Sequence, residues 1–167
     1  LVFIDETALN TKMARLYGRS VRGQRCLGAV PHGHWQTSTF IAALRHDRIE
    51  APFLIEGSAN MEVFAAYVGQ ILCPELHKDD VVIFDNLCIH KTPTIVRLVE
   101  AKGATVRYLP AYSPDLNPIE MAFAKLKALL RKAAARTVAG LWDKIGELLG
   151  EFSEGECANY FRHAGYA

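Results

Sequence analysis

DDVVIFDNLCIHKTPTIVRLVEAKGATVRYLPAYSPDLNPIEMAFAKLK, residues 79–127, is the stretch that decides the fold. Val81 to Phe84 is an apolar run with no polar break, the pattern of a strand covered on both faces. It delivers Asp85 to its end. A helix is predicted from Pro93 to Lys102, with Ile95, Val96, Leu98 and Val99 as its core side and Gly103 as its stop. Thr105 to Leu109 is the next strand. This β-α-β succession implies parallel pairing through a right-handed crossover. Pro110 to Pro118 then makes a rigid turn. Asn117 as N-cap, Pro118 at N1 and Glu120 at N3 predict a capping box at the head of a helix running to about Ala135.

Upstream, Leu1 to Ile4 is short, apolar and partly β-branched, so it predicts a central strand ending at Asp5. Thr7 to Gln24 has no clean period and reads as a basic loop or irregular hairpin. Arg25 to Val30, Thr37 to Leu44 and Ala51 to Ile55 are strand candidates. The turns at 32–34 and 46–48 would join them in an antiparallel meander. Thr37 to Leu44 also has the composition of a short helix, and the flanking turns favour the strand. Asn60 caps a predicted helix to about Leu72, stopped by Pro74. Downstream, Thr137 caps a last amphipathic helix through Leu141, Ile145 and Leu149. The 155–167 segment is left unassigned. The whole order predicts an α/β domain over residues 1–167, one mixed sheet with helices on both faces.

The chain has 167 residues, half of them hydrophobic, enough for a substantial core and against a disordered chain. A net charge of +1 gives no global signal for nucleic acid. The distribution says more. Thr7 to His46 contains no acid but carries Lys12, Arg15, Arg19, Arg22, Arg25 and Arg45. Met121 to Arg136 likewise carries Lys125, Lys127, Arg131, Lys132 and Arg136 without an acid. Two basic fields suit an anion-facing surface, although ordinary solvated faces have the same composition. The four cysteines form no CxxC pair, which argues against structural zinc, and reduced thiols in the cytoplasm are the expected state. No run approaches the length of a membrane span.

Asp5 and Asp85 both follow apolar strands, and ligands of open α/β sheets bind beyond strand carboxyl ends. Neighbouring strands would set the two carboxylates side by side. Such a pair calls for a cation, and Mg²⁺ prefers carboxylate oxygen. Glu120 would complete a three-carboxylate site for two ions about 4 Å apart, the arrangement used in phosphoryl transfer. The competing readings are that Asp5 and Asp85 merely begin turns and that Glu120 only caps its helix. Glu6 points away from Asp5 and stays outside the site. Asp79 and Asp80 read as a solvated turn, and Asp115 as a turn acceptor. His90 either approaches a phosphate or attacking oxygen, or satisfies the following turn. His32 and His34 read as turn residues. Lys127, two turns beyond Glu120, either contacts phosphate or is solvated. Phe123 and Trp142 read as core, and Tyr112 as a weak base-stacking candidate.

FIDE at 3–6, VIFDN at 82–86, His90-Lys91, YSPDLNPIE at 112–120 and FAKLK at 123–127 together resemble the catalytic domain of DDE transposases. The resemblance is to the bacterial insertion-sequence branch of the mariner-type superfamily. RCLGAVPHGHW at 25–35 and ECANYFRHAGY at 156–166 extend it across the chain, and 34 residues separate Asp85 from Glu120, as that branch requires. It implies a ribonuclease-H-like fold and a metal triad of Asp5, Asp85 and Glu120, with Asp5 bridging two Mg²⁺ ions that Mn²⁺ can replace, and His90 beside them. It implies cleavage at transposon ends and transfer of a 3′-hydroxyl into target DNA, commonly at TA, by a dimer or higher assembly. Lys12, Arg15, Arg19, Arg22, Lys91, Tyr112, Lys125 and Lys127 are the DNA-contact candidates. Cys88-Ile89 stand where the family has a Gly-Ser pair. The helix-turn-helix region that precedes this domain in relatives is expected to lie outside the chain. The alternatives are a metal-dependent nuclease without strand transfer and an inactive DNA-binding or assembly domain.

Overall fold

Val2–Asn10 is extended throughout and forms β1, the middle strand of a five-stranded sheet. The computed structural model describes residues 1–15 and 17–166. β2 (Thr37–Leu44) and β3 (Ile49–Glu56) follow as an antiparallel meander on one side of β1. β4 (Val81–Phe84) and β5 (Thr105–Tyr108) add in parallel on the other side, giving the order β3-β2-β1-β4-β5. The mixed sheet with helices on both faces is consistent with a ribonuclease-H-like fold.

The period of two along each strand builds two cores. Phe3, Leu9, Phe40, Ala42, Leu44 and Ile83 face α4 (Pro118–Ala133), α5 (Val138–Leu149) and α6 (Glu154–His163). Val2, Ile4, Ile41, Ala43, Val82 and Phe84 face α1 (Met61–Tyr67), its π-helical continuation Val68–Leu72, and α3 (Pro93–Glu100). β4 is buried on both faces, as its unbroken apolar run requires.

Four elements differ from the sequence reading. β1 does not end at Asp5, because β2 pairs with it from Phe3 to Asn10. Residues 25–30 form no strand; β1 itself takes the first place in the meander. Pro74 does not stop the α1 segment. The wider π-helical turn precedes it, and α2 (Cys73–Glu75) carries the proline where its missing N–H is tolerated. Of the unassigned segment at the end, residues 155–163 belong to α6, capped by Ser153, whose side chain accepts from Glu156 N.

One ion network secures the sheet. Arg45, beyond the end of β2, donates from Nη1 and Nη2 to the two oxygens of Asp80 at 2.8 and 2.7 Å, and it also pairs with Glu50. Asp80 precedes β4, so this bidentate contact ties the meander to the strand that delivers Asp85. Asp80 is therefore no solvated turn residue, and Arg45 is withdrawn from the basic surface. Among the described residues no helix is long and apolar enough to cross a membrane.

Candidate active site

β1 and β4 run in register from Val2↔Val82 to Ile4↔Phe84, and there β4 stops. The next residue on each strand is an aspartate. Asp5 and Asp85 therefore emerge beside each other where the parallel pairing ends. Both follow residues of the α1-side core and so point to the α4 side, like Phe3 and Ile83. The β5–α4 turn closes over them. Asp5, Asp85, Asn117 and Glu120 line one cleft of about 310 Å³, together with Tyr112 and the 109–114 segment.

Asp5 is 7% exposed. Its Oδ1 accepts from Glu6 N at 2.8 Å and its Oδ2 from Asn117 Nδ2 at 2.8 Å. Burial is the largest influence on its acidity. With the negative charges of Glu120, Asp85 and Glu6 it outweighs the Glu6 N–H bond and pushes Asp5 up to about 7. Asp85 is half-buried. Burial raises it, but the hydrogen bonds from His90 and Leu87 N prevail and hold it below the usual carboxylate range.

Asn117 departs from the sequence reading. Its side chain makes no capping bond; it turns back to Asp5 instead, and no capping box forms. Glu120 stands in the first turn of α4, exposed at the rim of the cleft. Asn117 Oδ1 is buried without a hydrogen-bond partner among the described residues. The Asn-Pro pair carries a strong local signal for a helix cap and none for a contact 112 residues away.

His90 is fully buried. Cys88–His90 form a short 3₁₀ turn, so the Cys88-Ile89 pair is compatible with an ordered loop that carries the imidazole inward. Nδ1 lies 2.5 Å from Asp85 Oδ1 and Nε2 lies 3.0 Å from Glu6 Oε2. Two carboxylate acceptors require a proton on each nitrogen. Burial depresses the imidazole, but the bonds to Asp85 and Glu6 outweigh it and raise His90 to about 9. A side chain so enclosed does not reach a phosphate. The ring is instead held between Asp85 and Glu6.

The basic candidates divide. Lys12, Arg15, Lys127 and Arg131 line a second groove of about 550 Å³ with Trp35. Lys12 Nζ sits 4.4 Å from the Trp35 ring centroid. Lys91 bonds Asn86 Oδ1 at the edge of the cleft. Tyr112 is wholly exposed there. Arg19 and Arg22 are exposed and line neither groove. Lys125 is engaged within the chain instead. It donates to Glu156 at 2.6 Å and to Glu151 O at 2.7 Å, over the Phe152 ring. Arg136 similarly holds the carbonyls of Thr11 and Met13. Phe123 is core, and Trp142 packs at its edge with Nε1 donating to Ser38.

A family model described as DDE superfamily endonuclease matches residues 1–141. The chain belongs to that family. Among curated proteins none matches significantly. Among solved structures the chain is similar to the Mos1 transposase paired-end complex with left transposon end, with a TM-score of 0.79 at 15% identity, over 98% of this chain and 51% of that one. It is similar to the Mos1 strand transfer complex, with a TM-score of 0.77 at 16% identity and the same coverage of 98% and 51%. The isolated catalytic domain of Mos1 mariner transposase gives 0.69 at 15% identity, over 98% of this chain and 74% of that one. The chain thus has the fold of a DDE-superfamily catalytic domain and spans about half the length of the fuller Mos1 chains (51%).

The donors in the cleft suit a hard divalent cation. They are carboxylate and amide oxygens, their negative charges crowd a buried Asp5, and the Asn117 Oδ1 is unpaired. Among the described residues no three His, Cys, Asp or Glu side chains are grouped closely enough to hold a metal ion.

Proposed function

We propose that residues 1–167 form the catalytic domain of a bacterial insertion-sequence transposase of the mariner type, one that cuts DNA at transposon ends and joins the freed 3′-hydroxyl to target DNA. The observation that carries this reading is the one cleft that Asp5, Asp85 and Glu120 line together. These three side chains would hold Mg²⁺, or Mn²⁺ in its place. Bound there, a pair of such cations supplies Lewis-acid neutralisation of the charge that builds up on a phosphate under attack.

The chain's own residues do the rest. Asn117 and the Glu6 N–H hold both oxygens of Asp5 in place. His90 and the Leu87 N–H do the same for one oxygen of Asp85. Asp5 and Asp85 are thus oriented before substrate arrives. Tyr112 offers an aromatic face at the rim of the cleft, suited to stacking on a base, and Lys91 a positive charge. Lys12, Arg15, Lys127 and Arg131 supply a positive groove for the phosphate backbone, and Arg19 and Arg22 extend that charge along the loop. The similar Mos1 structures, a paired-end complex with left transposon end and a strand transfer complex, support a partner set of transposon-end DNA and target DNA. The domain would act on them as a dimer or higher assembly in the bacterial cytoplasm.

The test is a cleavage and strand-transfer assay with the full gene product, its own transposon ends and a TA-containing target. Mg²⁺-dependent cutting and joining, both lost in Asp85→Asn with folding preserved, is the expected result. Cutting without joining would reduce the function to a nuclease. Unchanged cutting by Asp85→Asn would remove the assigned site.

A further inference from the structure

Glu6 lies next to Asp5 on β1 but on the other face of the sheet, the face covered by α1. Its N–H bonds Asp5, but Glu6 is not among the described residues that line the cleft. Its Oε2 instead meets Nε2 of His90 at 3.0 Å, and the opposite nitrogen of the same ring meets Asp85 Oδ1 at 2.5 Å. The ring has little freedom. Its centroid lies 4.3 Å from that of Phe64 and 5.6 Å from that of Phe84, and Tyr108 Oη donates to the His90 carbonyl at 3.1 Å. The Leu87 N–H also falls on Asp85 Oδ1, at 3.1 Å. Among the described residues no hydrogen bond falls on Oδ2 of Asp85, so this oxygen is left for a ligand.

We infer that Glu6, acting through His90, is a positioning residue that fixes the rotation of the Asp85 carboxylate and so decides which of its oxygens is offered to a cation. The inference rests on the reading of Asp85 as a cation ligand. Its physical basis is the hold on the far end of the imidazole. With Glu6 in place, Nε2–H has a buried acceptor and Nδ1–H stays aimed at Oδ1. Without Glu6, a buried N–H loses its partner, and the ring can relieve that by turning. That turn loosens the contact that orients Asp85. A carboxylate that orients a site through an intervening histidine is a known way of tuning a ligand. Here the sheet itself separates the orienting group from the cleft.

Mn²⁺ binding to the 167-residue chain, followed by electron paramagnetic resonance beside thermal melts, tests this. In Glu6→Ala the affinity of the folded protein for Mn²⁺ falls about tenfold, the usual scale for losing such a partner. Glu6→Gln keeps an acceptor oxygen for Nε2–H and restores binding to within about threefold of the unsubstituted chain. In a His90→Asn background, Glu6→Ala adds less than about a twofold effect, because the two residues act as one unit. Should His90→Asn fail to fold, the Ala–Gln comparison at Glu6 decides alone. A Glu6→Ala chain that melts earlier but binds Mn²⁺ normally would make the contact purely structural and overturn the inference. Asp85→Asn separates the two levels. If it weakens Mn²⁺ binding and Glu6→Ala does not, this inference fails and the site reading stands. If Asp85→Asn leaves binding intact, or the unsubstituted chain takes up no Mn²⁺, the site reading fails and the inference with it.

Discussion

Asn117 Nδ2 donates to Asp5 Oδ2 at 2.8 Å, a buried bond that ties the head of α4 to the middle of the sheet. This one contact sets where α4 starts relative to β1, and hence where Glu120 stands relative to Asp5. Breaking it leaves a buried carboxylate oxygen without its donor. Asn117→Ala is therefore expected to cost about 1–3 kcal/mol in denaturant unfolding. Asn117→Asp keeps the shape but sets another carboxylate against Asp5, so its loss of stability should exceed that of Asn117→Ala and should shrink when Mg²⁺ is added. Equal losses for the two variants, with and without cation, would mean that charge crowding at Asp5 is unimportant.

Asp5 itself is a stability liability that function retains. Its carboxylate is buried among Glu120, Asp85 and Glu6. Asp5→Asn removes the charge, and the unpaired Oδ1 of Asn117 can turn to accept from the new amide. The variant should melt no earlier than the parent without divalent cation, and on the order of 1 kcal/mol of gain is expected from relieved charge. The parent should gain thermal stability as Mg²⁺ or Mn²⁺ is added, by mass action, and lose it on chelation. Asp5→Asn should show neither change. A calorimetric titration of both chains across cation concentration measures this directly.

Acid sensitivity should arise at the Arg45–Asp80 contact. The hydrogen bond from Arg45 is the largest influence on Asp80 and holds it at about 2, below its ordinary 3.8. A depressed folded value means the contact stabilises the fold fully above the unfolded value. That contribution is lost as pH falls from about 4 towards about 2. Over this window the parent should lose on the order of 2 kcal/mol that Asp80→Asn, already lacking it, does not lose. Parallel pH–stability curves for the two chains would refute the assignment.

The parts of this molecule that were legible in sequence are those fixed by local pattern. Val81–Phe84 reads as a buried strand from its unbroken apolar run, and Pro93 and Gly103 mark the limits of α3 chemically. Asp5 and Asp85 were legible as site candidates because each follows an apolar strand run, and Glu120 because it stands at the head of a helix. What escaped were contacts between distant residues. Arg25–Val30 has strand-like composition, but β1 continues past Asp5 and takes the place beside β2. Strand alternation points Glu6 away from Asp5. That direction is what the structure shows, and the consequence was hidden: a histidine 84 positions later meets it on the far face. Lys125 and Lys127 look alike in sequence, and only the arrival of Glu156 on α6 separates them.

That separation gives a last test. Lys127 lines the basic groove with Lys12, Arg15 and Arg131, whereas Lys125 is paired with Glu156 at 2.6 Å. If DNA lies in the groove, Lys127→Ala should weaken binding to duplexes of any sequence, and the slope of log affinity against log salt should fall by about 1. Arg131→Ala should act in the same way. Lys125→Ala should leave the salt slope unchanged. It should instead lower stability by about 1 kcal/mol, because it strips an ion pair and a carbonyl contact from the α4–α6 packing. Fluorescence anisotropy across a salt series, beside denaturant melts, reads both effects. A salt slope that falls for Lys125→Ala and not for Lys127→Ala would place the nucleic acid on the opposite side of α4.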